Sequence, residues 1–258
     1  MQRALILAAL LASPITARPT SRPGVQEPVD VRIRTSDAQE LAATFFAPQR
    51  KKSQQGNPAP GVLLIHDAGG NRHELDDIAT RLQKSGFGVL TVDLRGHGDS
   101  RSESNDWSKL GEAARSRLWA LATRDVAAAS TWLLSQGEVH STNLSLVGLG
   151  SGCALAVRQA RRDENVRCVV LMAPRSLDFG FDVASDLQKI EGLPTYVLAA
   201  KDDEGARAMV ATANGDTHPF VELEYAAARL KSVLEDRKTP GKIAHWMKGY
   251  AMPKRGRG

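Results

Sequence analysis

The stretch Leu144-Ser-Leu-Val-Gly-Leu-Gly-Ser-Gly-Cys-Ala-Leu-Ala156 changes character twice within thirteen residues. Leu144 to Gly148 is an apolar run of the kind that forms a strand covered on both faces. Gly148-Leu149-Gly150-Ser151-Gly152 then places a glycine at every second position, which permits a turn too tight for side chains. From Ser151 to Arg161 small and apolar residues predict a helix. A buried strand that turns at once into a helix is the joint of a parallel α/β sheet.

The flanking sequence repeats that joint. Val29 to Thr35 alternates apolar and polar residues, the period of a half-buried strand, and Leu41 to Ala47 predicts its antiparallel partner at the sheet edge. Pro48 to Pro60 is polar and predicts an exposed loop. Gly61–Ile65, Val89–Asp93, Leu144–Gly148, Cys168–Ala173 and Thr195–Ala200 predict buried parallel strands. Arg72–Ser85 and Arg117–Gln136 carry apolar residues on one helical face, and Glu222–Asp236 is read as a further helix. Lys242–Lys248 is read as a last strand. The expected fold is therefore α/β: a mostly parallel sheet with an antiparallel N-terminal edge and helices on both faces. About twenty residues separate Ala173 from Thr195, so any lid there is small. No internal repeat or interior linker divides residues 29–252, which are expected to form one domain.

The chain has 258 residues, 42% hydrophobic and 24% charged, with a net charge of +5. That composition supplies a large core. Basic residues concentrate in Arg50-Lys-Lys52 and in the tail at 253–258, and aromatics make up only 5%. Without a basic stripe interleaved with aromatics, nucleic acid is not an expected partner. Met1-Gln-Arg3, the apolar run Ala4–Ala12 and the small residues up to Ala17 predict a secretory signal over residues 1–17. That run is too short to span a bilayer, so no membrane span is expected in the mature chain. Residues 18–28 read as a disordered mature N-terminus, and the location implied is secreted or periplasmic. Cys153 and Cys168 could form one disulfide in an exported protein, but both are flanked by apolar residues and read rather as buried thiols. No cysteine–histidine spacing suggests a metal site, and no cofactor is expected.

Three motifs stand in order. They are His66-Asp-Ala-Gly-Gly-Asn-Arg72 after the first buried strand, Asp93-Leu-Arg-Gly-His-Gly-Asp-Ser100 after the second, and the glycine frame at 148–152. On these the chain resembles a compact α/β-hydrolase of the serine aminopeptidase, esterase or dienelactone-hydrolase kind. The second motif matches that family's Asp-x-Arg-Gly-His-Gly-x-Ser loop most closely. The resemblance implies an oxyanion segment at His66, Asp67 and Ala68, completed by the backbone N–H of Ser151. It makes His66 and His97 loop organisers. It also implies a nucleophile, an acid and a histidine base in chain order.

The elbow frame Gly-x-nucleophile-x-Gly centres on Gly150, so the nucleophile slot holds glycine. Centring on Ser151 would put Leu149 and Cys153 where small residues are needed. Ser151 therefore reads as the next residue, with its side chain available to cap the helix, and as the alternative nucleophile. Asp203 best matches the acid, with Asp202 next; an ordinary solvated acidic loop is the other reading. The family's histidine segment aligns Met252 with the base. His245 and His218 are the displaced alternatives. With Lys242–Lys248 as the last strand, the family's final helix is expected to be absent. Asp67 replaces a glycine and is expected to turn away if the oxyanion hole is to take an anion.

Two of three roles are thus substituted. The leading expectation is an exported hydrolase-fold protein without serine-hydrolase catalysis, keeping a pocket for a small acyl, peptide or carbohydrate-like ligand or for a protein partner. The alternative is an active ester or peptide hydrolase using Ser151, Asp203 and a displaced histidine. A third possibility, a structural or assembly protein, is favoured if Trp107, Trp119 or Met252 fills the pocket.

Overall fold

The computed structural model describes residues 26–49, 56–190, 192–214, 221–227 and 233–252. The expected signal at 1–17, the tail at 253–258 and His218 lie outside the described residues.

Eight strands form one sheet: β1 (Val29–Arg34), β2 (Glu40–Phe46), β3 (Ala59–Ile65), β4 (Gly88–Val92), β5 (Val139–Leu149), β6 (Val166–Met172), β9 (Thr195–Ala200) and β10 (Val221–Ala227), the two-residue strands β7 (Leu177–Asp178) and β8 (Phe181–Asp182) making a separate hairpin. Their order across the sheet is β1-β2-β4-β3-β5-β6-β9-β10. β1 and β2 are antiparallel to each other, β2 is antiparallel to β4, and the rest run parallel. The α/β fold expected from sequence is the fold present.

Every residue of β3 is buried. Leu63 and Ile65 enter one core and Val62 and Leu64 the other, the period-two split of a strand covered on both faces. The first core is closed by α2 (Glu112–Leu134), α3 (Gly152–Ala160), α4 (Val183–Gln188) and α5 (Glu204–Asn214), through Trp119, Val126, Leu155, Leu187 and Met209. The second is closed by α1 (Asp76–Lys84) and α6 (Thr239–Tyr250), through Ile78, Leu82, Ile243 and Met247. Cys153 and Cys168 are free and buried among these apolar residues. Among the described residues no helix is long and apolar enough to cross a membrane.

The C-terminal quarter differs from the sequence expectation in two places. The segment read as a helix from Glu222 begins with β10, which pairs parallel with β9 from Val221 to Ala227. Here Val221 is buried while Glu222 and Glu224 face solvent, the alternation of an edge strand. The segment read as a strand, Lys242–Lys248, lies in α6. Ile243, Ala244 and Met247 share one face of that helix against α1 and β6, a helical and not a strand spacing. A final helix is therefore present, and β10 is the last strand among the described residues.

Candidate active site

The turn between β5 and α3 lies at the C-terminal end of the strands, where open α/β sheets place their sites. Gly148 and Gly152 are tight-approach positions: a Cβ at 148 would come within 2.6 Å of the Cys153 Cα, and one at 152 within 2.5 Å of the His66 carbonyl. Gly150 stands at the apex with φ +54, in the left-handed region. A Cβ there would fall onto the carboxylate of Asp67. The frame is thus centred on Gly150, and Ser151 follows it as the N-cap position of α3 with φ −64. The Ser151 hydroxyl caps no backbone group of that helix, contrary to expectation. It is buried and accepts from Arg175 Nη1 at 2.6 Å.

Asp67 does not turn away. Its Oδ1 accepts from the N–H of Ala68 at 2.8 Å and from the N–H of Ser151 at 2.7 Å, the two donors that the family resemblance implies for an oxyanion hole. Arg175 Nη1 reaches the same oxygen at 3.0 Å and Nη2 reaches Oδ2 at 3.2 Å. Burial raises the Asp67 carboxyl, but the Ser151 N–H and Arg175 outweigh it and hold it below the usual aspartate value. Arg175, two residues beyond the left-handed Ala173 at the end of β6, carries no motif, and the sequence reading missed it. The signal was indirect: a carboxylate in place of a glycine beside buried N–H groups calls for a countercharge.

The surrounding loops are fixed by the other motifs. His66 Nδ1–H donates to the Asp67 carbonyl at 2.7 Å and its Nε2 accepts from the Leu94 N–H at 3.0 Å. His97 Nδ1–H donates to the Arg95 carbonyl and its Nε2 accepts from the Gly69 N–H at 3.0 Å. Each imidazole is held neutral by accepting an N–H, and burial lowers the pKa of His66 to about 4. Asp93 ties Arg72 and the Asp99 N–H, while Arg95 pairs with the buried Asp125 at 2.6 Å and with Asp37 at 2.9 Å. The Asp-x-Arg-Gly-His-Gly-x-Ser loop is a clamp on the sheet end, tied to the 66–72 segment through the His66–Leu94 and His97–Gly69 bonds.

The remaining roles do not assemble among the described residues. Asp202 is exposed, whereas Asp203 points inward: its Oδ1 accepts from the Ala206 N–H at 2.9 Å and its Oδ2 is buried with no partner. Met252 packs beside Gly86, which precedes β4 and so lies at the opposite end of the parallel strands from the elbow; it does not occupy a histidine slot. His245 lies on the exposed side of α6. Among the described residues no imidazole hydrogen-bonds to Ser151 or Asp203, and no histidine occurs between Ala227 at the end of β10 and His245. Cys153 offers no substitute nucleophile, because burial pushes its thiol far up and it donates to the Gly148 carbonyl. Among the described residues no group of three or more His, Cys, Asp or Glu side chains could hold a metal.

Over this end of the sheet sits the β7–β8 hairpin. Phe179, at its tip with φ +45, packs against Trp107 and Trp119 at centroid distances of 5.4 and 5.8 Å. Trp107 in turn lies 4.7 Å from His97. Trp107 and Trp119 thus belong to an aromatic cluster with His97 and Phe179, and Met252 lies away from it.

The dienelactone hydrolase family model matches residues 45–215. The chain belongs to the dienelactone hydrolase family. A dienelactone hydrolase of Anabaena variabilis superposes with a TM-score of 0.67 at 19% identity, over 87% of this chain and 98% of that one. The Pyrococcus furiosus esterase Pf2001 superposes at 0.66 and 18% identity, over 87% and 93%. In sequence, an Escherichia coli protein from the traX-finO intergenic region is 29% identical over 50% of this chain and 41% of its own. The Bacillus subtilis protein YtaP is 24% identical over 55% and 51%. The chain spans about half the length of the curated relatives it matches.

Proposed function

We propose that this member of the dienelactone hydrolase family does not carry out serine-hydrolase catalysis and works by binding. One observation carries the reading: the apex of the elbow is Gly150, so no nucleophilic side chain is presented above the sheet. The neighbouring hydroxyl of Ser151 is buried and bonded to a guanidinium, which cannot take its proton. A site without nucleophile and base retains a small fraction of ordinary hydrolase rate. Exposing the full chain to a fluorophosphonate probe tests this. No labelling is expected; labelling of Ser151 that disappears in Ser151→Ala would overturn the reading and restore the esterase alternative. Export is part of the same proposal and stands on the composition of residues 1–17; N-terminal sequencing of the processed protein tests it.

A further inference from the structure

The donors around Asp67 form a receptor for a two-oxygen anion. The N–H groups of Ala68 and Ser151 converge on Oδ1, and Arg175 presents Nη1 to Oδ1 and Nη2 to Oδ2 as a fork. A guanidinium fork matched to both oxygens of a carboxylate is more selective than a point charge. Ser151 opens the nine-residue helix α3, whose N-terminal end adds positive field at the same spot. Arg175 Nη1 also reaches Ser151 Oγ at 2.6 Å and Asp178 Oδ2 at 3.2 Å, so the guanidinium is held from three sides. What fills the receptor is a short side chain on a loop. Its Cβ–Cγ arm can swing without moving the backbone donors: the backbone around Ala68 is held by the His66 and His97 bonds, and the Ser151 N–H belongs to the turn that opens α3. The clasp also opens to solvent: the Arg175 side chain is 44% exposed and that of Asp67 28%.

We propose that this is a carboxylate-binding site, occupied at rest by Asp67 as an internal ligand, and that a ligand carboxylate binds in exchange for it. The inference deepens the reading of a binding protein and rests on it, by naming the chemical class taken up. Glycine at 150 is part of the device, since any side chain there would collide with the resident carboxylate.

The test is acetate binding by isothermal titration and thermal shift, with chloride at matched ionic strength as the control. Wild type, Asp67→Gly and Asp67→Gly/Arg175→Ala are compared. Removing the internal ligand is expected to tighten acetate binding at least about tenfold, since hydrogen bonds to a charged group are at stake. The double variant is expected to lose that gain. Equal acetate affinity in wild type and Asp67→Gly overturns the proposal, as does a response in Asp67→Gly that chloride matches, or a gain that survives loss of Arg175. If glycine loosens the loop, as circular dichroism would show, Asp67→Ala empties the same site with the loop's backbone freedom restricted. The outcome is separable from the proposed function: failure of acetate to bind leaves the probe result untouched, and labelling of Ser151 would sink the non-catalytic reading whatever acetate does.

Discussion

Replacing Gly150 with serine is the change that would make the elbow look like a working one, and the structure predicts that it destabilises the protein. A side chain at φ +54 costs about 1–2 kcal/mol in backbone strain. The new Cβ also lands on the Asp67 carboxylate, which must leave. Leaving breaks two N–H bonds to a charged acceptor, each worth about 1.5–3 kcal/mol, with part of that regained from water. The sum is about 3–5 kcal/mol, a large fraction of an ordinary domain's stability. In an Asp67→Gly background only the backbone strain remains. Urea unfolding of wild type, Gly150→Ser, Asp67→Gly and the double variant therefore forms a cycle in which serine is less costly by about 2–3 kcal/mol once Asp67 is gone. If Gly150→Ser costs the same in both backgrounds, the carboxylate does not occupy the space above the apex.

Three further outcomes follow from groups around the site. His66 must stay neutral in the folded chain, with its pKa lowered from 6.5 to about 4 by burial. Unfolding then takes up a proton between those values, so its contribution is full above about pH 6.5 and falls as pH drops towards 4, by about 3 kcal/mol; a urea midpoint that is flat between pH 7 and 4.5 would refute this. Asp125→Ala leaves the Arg95 guanidinium buried beside Asp37 alone and is expected to cost about 3–5 kcal/mol, checked by chemical denaturation, with a loss below about 1 kcal/mol counting against the clamp. Cys153 and Cys168 are both fully buried, so Ellman's reagent is expected to titrate neither thiol in the native protein and both in guanidinium.

What could be read from sequence was whatever close packing imposes locally. Gly148 and Gly152 have no room for a Cβ, and that constraint is written in the residue types themselves. The buried strands β3, β4, β6 and β9, with the C-terminal half of β5, announce themselves as apolar runs because both faces are covered. β10 and α6 were exchanged because neither is bounded by such a run. β10 is an edge strand whose Glu222, Glu224 and neighbouring alanines have helical preferences, and pairing with β9 overrides them. α6 has only three core-facing residues in its central turns, and with lysines at each end they mimic alternation. Misplacing these two elements also misplaced Met252, since its slot was counted from a strand that is a helix.

The inward turn of Asp67 was out of reach for a different reason: its countercharge, Arg175, is 108 residues away and becomes a neighbour only when β6 is laid beside β5. Three residues that look like separate departures from a hydrolase site then form one arrangement. Gly150 vacates the volume, Asp67 takes it and satisfies the two N–H donors, and Arg175 neutralises the buried charge. Each is intelligible only with the others. A carboxylate over the elbow without Arg175 would be a half-buried charge held by two N–H groups alone, and Arg175 without Asp67 would keep only Asp178 as a carboxylate partner beside the positive end of α3. Restoring the serine alone therefore meets opposition from the other two residues, whereas emptying position 67 frees the donors and the apex together. On this physical ground the site is a coupled set that favours a resident anion over a nucleophile.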